Sequence, residues 1–146
     1  MKIDKLTEQD LEPLSEIFVQ FWHEKSSLDK MRATFSRIAI NPAYLLLTAK
    51  HNGRLVGFVM GIICEELYGQ CKPFMVIEDL IVDANQRRNG IGTALMRELE
   101  KSAIAHGCCQ IIFVTEAERT EAHQFYMSLG YDYEPYKGFK KRIGGG

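Results

Sequence analysis

The chain has 146 residues, enough for one domain with a hydrophobic core and too few for a second of ordinary size. Its 18 Lys and Arg stand against 19 Asp and Glu, and 46% of its residues are hydrophobic. That balance excludes a disordered chain and a strongly basic nucleic-acid binder, so no nucleic-acid partner is expected and long-range charge names no other.

The first residues, MKIDKLTEQDLEPL, are charged throughout, with no apolar signal core. No apolar run approaches the length that spans a bilayer, so the cytoplasm is the expected compartment and no membrane partner is expected. KIDKL reads as a short first strand. Thr7 then precedes Leu11, Leu14, Ile17, Phe18, Phe21 and Trp22 at the spacing of an amphipathic helix. A second such pattern, Leu28, Met31, Phe35 and Ile38, covers residues 26–38 and stops at Asn41-Pro42, because the residue before proline avoids the helical region. YLLLTAK and LVGFVMGII read as strands joined by His51-Asn52-Gly53, where Asn-Gly supplies the positive φ angles of a tight antiparallel hairpin.

After a loop through Gly69 and Pro73, FMVIEDLIV forms a third apolar run, and Ile91, Leu95, Leu99 and Ala103 continue a helix to His106-Gly107. QIIFVTE, residues 110–116, reads as another strand. It is followed by a helix over about residues 120–129, a stop at Gly130 and a final extended segment ending near Lys141. Gly144, Gly145 and Gly146 add no core and read as a flexible tail or a cloning remnant. No repeat or linker divides the chain, so residues 1–146 are expected to form one domain. The order gives a mixed α/β layer structure that joins antiparallel hairpins to a parallel βαβ step.

Cys64, Cys71, Cys108 and Cys109 form no CxxC pair, and the adjacent Cys108 and Cys109 would face opposite sides of a strand. Reduced, partly buried thiols are expected, with neither a zinc site nor a disulfide framework. His23, His51, His106 and His123 are scattered without the spacing of a helical metal site, so no metal is expected.

The chemistry concentrates in NQRRNGIGTALM, residues 85–96, at the turn from strand to helix. Glycines there let a ligand approach the backbone, and the unpaired first N–H groups of the helix point outward with the positive end of its dipole behind them. An anion, most plausibly a phosphate, fits, with Arg87 and Arg88 adding charge at the rim. A glycine-containing loop with solvated arginines would carry the same residues. Neither the G-x-x-x-x-G-K-[ST] phosphate loop nor the G-x-G-x-x-G dinucleotide fingerprint matches.

The run EDLIVDANQRRNGIGTALMRELEKSA, with R-x-x-G-x-G at Arg87, Gly90 and Gly92, resembles the acetyl-CoA-binding motif of the GCN5-related N-acetyltransferase (GNAT) superfamily. AHQFYMSLGY, residues 122–131, is similar to that superfamily's second signature, and the chain has its length and element order. The segment RTEAHQFYMSLGY followed by GFKK resembles small-amine members, including aminoalkylphosphonate and aminoglycoside 6'-type enzymes. The resemblance implies a mixed, mostly antiparallel central sheet, splayed between its fourth and fifth strands and flanked by helices. It also implies acetyl-CoA as cosubstrate and a homodimer.

By the same resemblance, the backbone of Leu80, Ile81 and Val82 would pair with the pantetheine arm like an added strand. A β-bulge or splay near Leu80 would open the sheet there, and the Leu80 N–H would face the thioester oxygen. The pyrophosphate would lie on N–H groups from Arg88, Asn89, Gly90, Ile91, Gly92 and Thr93. Of the two carboxylates just upstream, strand alternation puts Glu78 and Asp79 on opposite faces, so one meets the substrate. Asp79 is favoured to bind the amine and pass its proton through water, with Glu78 as second choice. Tyr126 matches the tyrosine that protonates the leaving thiolate, and a packing role would suit it too. Where relatives often carry an asparagine against pantetheine, this chain has Arg119, which would reach phosphate or solvent. The expected reaction is direct acetyl transfer in a ternary complex to a small primary amine. A peptide or protein N-terminus is the alternative acceptor, and a non-catalytic acyl-CoA sensor the alternative of another class.

Overall fold

In the computed structural model, residues 1–144 are described, and they form two compact units that divide between Ile112 and Phe113. Residues 145 and 146 of the expected glycine tail lie outside the described residues.

The first unit holds the sheet. Strand β1 (Lys2–Lys5) leads into a 3-10 turn whose start is fixed by Asp10: its Oδ2 accepts from the Thr7 N–H at 2.8 Å and from the Thr7 hydroxyl at 3.0 Å. Helices α1 (Leu11–Trp22) and α2 (Leu28–Ile38) follow, and the Ser27 hydroxyl caps α2 by accepting from the Lys30 N–H. Strands β2 (Tyr44–His51) and β3 (Arg54–Cys64) make the expected hairpin, with Asn52 and Gly53 at φ of 52° and 77°. Strand β4 (Phe74–Val82), helix α3 (Ile91–Ala105) and a two-residue strand β5 (Ile111–Ile112) complete the unit.

Sheet order is β1-β2-β3-β4-β5, antiparallel throughout except for the parallel β4-β5 pair. One face packs on α1 through Leu14, Ile17, Leu46, Phe58 and Ile81, with Phe18, Phe21, Met31 and Phe35 closing the edge. The other face carries α3, whose Ile91, Leu95, Leu99 and Ala103 are buried as their spacing predicts. The helix lies very close to β3. A Cβ at Gly57 would meet Ile91 Cγ2 at 2.9 Å, and one at Gly61 would meet Leu99 Cδ2 at 3.0 Å.

The second unit carries α4 (Thr120–Ser128), ended by Gly130 at φ 97°. Two expectations fail here. The strand read over residues 110–116 is cut to Ile111–Ile112, because the Phe113 ring packs 4.5 Å from Tyr126 and 5.2 Å from Tyr131 and the chain leaves the ladder. The final extended segment is irregular among the described residues: a turn closes it from Tyr136 N–H to Tyr133 C=O, and Tyr136 and Phe139 are exposed rather than packed in a ladder. The splay between the fourth and fifth strands is present, since β4-β5 register spans only Met75↔Ile111 and Val76↔Ile112 while β4 runs on to Val82.

The cysteines are free. Cys64 and Cys108 are half-buried as expected, but Cys71 and Cys109 are exposed, and Cys108 and Cys109 precede the strand rather than lying in it.

Candidate active site

Strand β4 does not run straight past β3. Glu78 pairs with Met60 and Ile81 with Phe58, so Asp79 and Leu80 together oppose Val59, which is a β-bulge. Asp79 takes φ 60°, a left-handed conformation that aspartate tolerates better than most residues.

The bulge re-aims the backbone. Below it, Met75 N–H donates to Gln110 C=O at 3.0 Å, so odd-numbered residues there turn away from β3. Above it, Asp83 N–H donates to Val56 C=O at 2.8 Å, so odd-numbered residues turn toward β3. Alternation then directs the peptide groups of Leu80 and Val82 to the outer edge of β4, the side on which β5 has already ended. Without the inserted residue, Leu80 would share the phase of Glu78 and bond to β3. The single extra residue therefore turns the Leu80 N–H outward.

The bulge also corrects the expected facing of the carboxylates. Glu78 shares the face of its partner Met60, which packs against the α1 cluster. Asp79 lines a cleft with Phe18 and Trp22 of α1, so both acids lie on the α1 side. The open cleft measures about 430 Å³ and is completed by Glu24, Lys25, Ser26 and Ser27 of the α1–α2 connection. Burial, and secondarily the charge of Glu78, pushes the Asp79 carboxyl above the ordinary aspartate range. Such a shift brings a carboxylate nearer to the basicity that proton transfer needs.

The turn into α3 is held from below. Buried Asp83 accepts from Asn85 N–H at 3.1 Å, from Gln20 Nε2 at 3.4 Å and from Arg54 Nη2 at 3.3 Å, while Gln20 Oε1 accepts from Ala84 N–H at 2.9 Å. Helix α1 and strand β3 thus fix where the loop begins. Arg87 then stacks its guanidinium 4.8 Å from the Phe21 ring centroid. Arg88 and Gly90 take positive φ, 68° and 75°, and Gly90 caps α3 with no side chain of its own. The first helical bond runs from Ala94 N–H to Gly90 C=O at 3.0 Å, leaving the N–H groups of Ile91, Gly92 and Thr93 without intrahelical acceptors. A Cβ at Gly90 would meet nothing within 4 Å, so backbone conformation and an open approach, rather than packing, call for glycine there. Asn89 lies between the two left-handed residues. This arrangement fits a pyrophosphate: a helix N-terminus with open space before it and a cation at its rim.

In the second unit, Tyr126 sits among Phe113, Phe125 and Tyr131, with ring centroids 4.5, 5.3 and 6.4 Å away. Burial raises its hydroxyl pKa above the usual tyrosine value, and the charge of Arg119 offsets part of that. Arg119 stands at the N-cap of α4, near enough to act on Tyr126 electrostatically. His123 Nε2 is 2.9 Å from Glu116 C=O, which gives that histidine a local structural role.

The sequence model of the acetyltransferase (GNAT) family matches residues 11–131, most of the chain and both units. The chain belongs to the acetyltransferase (GNAT) family. GNAT acetyltransferases use acetyl-CoA as cosubstrate. Over 106 residues, 70% of this chain, it is 28% identical to glucosamine 6-phosphate N-acetyltransferase 1 of Oryza sativa subsp. japonica, and it spans 62% of that relative's length. A putative acetyltransferase from Agrobacterium tumefaciens superposes with a TM-score of 0.90 at 21% identity, covering 98% of this chain and 100% of that one. An aminoglycoside 6'-N-acetyltransferase from Acinetobacter haemolyticus superposes with a TM-score of 0.77 at 22% identity, covering 99% and 100%. At such identities these structures establish the fold alone.

Sequence reading singled out Glu78, Asp79, Leu80 and the glycine turn but passed over Gln20, Arg54 and Asp83, which anchor that turn. An aspartate ending an apolar strand just before Ala-Asn was the available signal for a side-chain-capped turn.

Proposed function

We propose that this acetyltransferase moves an acetyl group from acetyl-CoA to a small primary amine by direct transfer in a ternary complex. The bulge at Asp79 and Leu80 carries this reading, since one inserted residue both turns a backbone donor outward and brings a carboxyl of raised pKa into a cleft. In this scheme the neutral amine attacks the thioester carbonyl, a C–N bond forms and the C–S bond breaks. Asp79 receives the amine's proton through water, with Glu78 holding the ammonium form before attack. The Leu80 N–H donates to the oxygen on which negative charge grows. Leu80 to Val82 hold the pantetheine amides as an added strand would. The turn from Arg87 to Thr93 holds the pyrophosphate. The acid for the leaving thiolate is assigned to Tyr126 by family resemblance alone; within its own unit, burial holds its proton more tightly and the charge of Arg119 offsets part of that.

The chain works as a homodimer in the cytoplasm in this reading. The test is release of CoA thiol from acetyl-CoA across primary amines and short peptides, with the product identified by mass. Acceptor-dependent release with an acetylated small amine supports the proposal. Acetylation of peptide N-termini instead, or tight CoA binding with no acceptor-dependent release, overturns it.

A further inference from the structure

The cleft formed by the end of α1, the α1–α2 connection and Asp79 has a composition that selects among amines. Phe18 stands edge-on to the buried Phe58 ring at 6.2 Å and is 5.4 Å from Trp22, which in turn lies 6.0 Å from Phe21. One wall is therefore an aromatic cluster anchored in the core. Yet Trp22 remains 52% exposed, a large apolar surface presented beside the carboxyl of Asp79. Among the described residues that line the cleft, Lys25 carries positive charge and Glu24 and Asp79 carry negative, with Glu78 close enough to raise Asp79. A phosphate or carboxylate on the acceptor would enter a site already weighted toward negative charge, whereas a cation would be drawn in. A flat apolar group would lie against the two rings and remove them from water.

We infer that the acceptor is an arylalkylamine, with its ring against Trp22 and Phe18 and its amine at Asp79. The inference rests on the acetyl-transfer reading of the same site. It departs from the amino-sugar phosphate and aminoglycoside named for the relatives. Ser26 and Ser27, which also line the cleft, carry hydroxyls that suit a polar ring substituent.

Trp22 is the single tryptophan of the chain, so its fluorescence reports the cleft without any need for turnover. The full-length protein is titrated with 2-phenylethylamine, spermidine, glucosamine 6-phosphate and kanamycin while tryptophan emission is followed. Thiol release from acetyl-CoA is measured with the same four amines. The expected result is a saturable emission change with 2-phenylethylamine and a kcat/KM for it at least about tenfold above the other three. Trp22→Leu should raise KM for 2-phenylethylamine about tenfold with kcat and the KM for acetyl-CoA unchanged, which a merely structural loss would not do. A stronger emission change and faster acetylation with any of the other three amines overturns the inference while leaving acetyl transfer intact. Saturable 2-phenylethylamine binding with no thiol release from any amine upholds the cleft assignment and defeats the acetyl-transfer reading. No emission change and no turnover with 2-phenylethylamine overturns the inference outright.

Discussion

Asp79 combines three properties seldom found in one strand residue: a left-handed backbone, partial burial and a neighbouring like charge. Because its folded pKa is raised, the folded chain holds that proton to higher pH than the unfolded chain does. Stability contributed by the protonated carboxyl is present below the ordinary aspartate range and is lost as pH rises through the raised value. Asp79→Asn should therefore raise Tm at neutral pH, and thermal melts should show the gain shrinking toward acid pH. The same change should lower kcat/KM by about a hundredfold or more, since general-base catalysis contributes on the order of 10²–10⁴. A variant that is both more stable and less active would mark Asp79 as a functional residue held at a cost to the fold. Tyr126→Phe should lower kcat about a hundredfold while acetyl-CoA binding, measured by calorimetry, stays the same. Both residues could be singled out from sequence because a carboxylate pair and a Phe-Tyr pair stand inside recognisable motifs. The facing of Glu78 was not legible, because alternation holds only while the strand is regular, and a bulge is a relation between two strands rather than a property of one.

At the scale of elements, helix α3 and strand β3 approach so closely that two glycines define the contact. Gly57→Ala would press a methyl group to 2.9 Å from Ile91 Cγ2 and about 3.3 Å from the Ile81 carbonyl. Because one neighbour is backbone, relief is limited, and the urea midpoint should fall by an amount worth about 1–3 kcal/mol. Gly90→Ala meets open space but must hold φ 75°, so its cost should be about 1–2 kcal/mol with no steric part, accompanied by a rise in KM for acetyl-CoA. The helices, the hairpin and β4 could all be read from periodicity, since their apolar faces are regular and their ends carry Asn-Gly, Asn-Pro or glycine signals. The strand over residues 110–116 could not. Its apolar pattern fits a strand, but Phe113 serves an aromatic cluster with Tyr126 and Tyr131, and no local pattern encodes which partner a ring will choose.

For the molecule as a whole, the splayed β4 edge, the start of α3 with its free N–H groups and the cleft beside α1 all belong to the first unit. Ligand binding to that unit should stabilise the fold by mass action, about 2.7 kcal/mol at a CoA concentration a hundred times its Kd, which calorimetric melts would detect. No helix among the described residues is long and apolar enough to cross a membrane. The overall order of elements was legible from sequence because apolar periodicity and turn residues mark most of them in turn. The cleft was only partly so: Phe18 and Trp22 look like sheet-covering residues until the α1–α2 connection brings Ser26 and Ser27 into the same cleft.

In the proposed mechanism the bulged carboxyl Asp79 takes the proton of the attacking amine. The most direct measurement is the pH dependence of kcat/KM for the wild-type chain, Asp79→Asn and Glu78→Gln, with the best amine acceptor and saturating acetyl-CoA. A wild-type acid limb is expected above the ordinary aspartate range, shifted to lower pH in Glu78→Gln by loss of the like charge, and absent in Asp79→Asn. An acid limb that persists unchanged in Asp79→Asn, at a comparable rate, would contradict it.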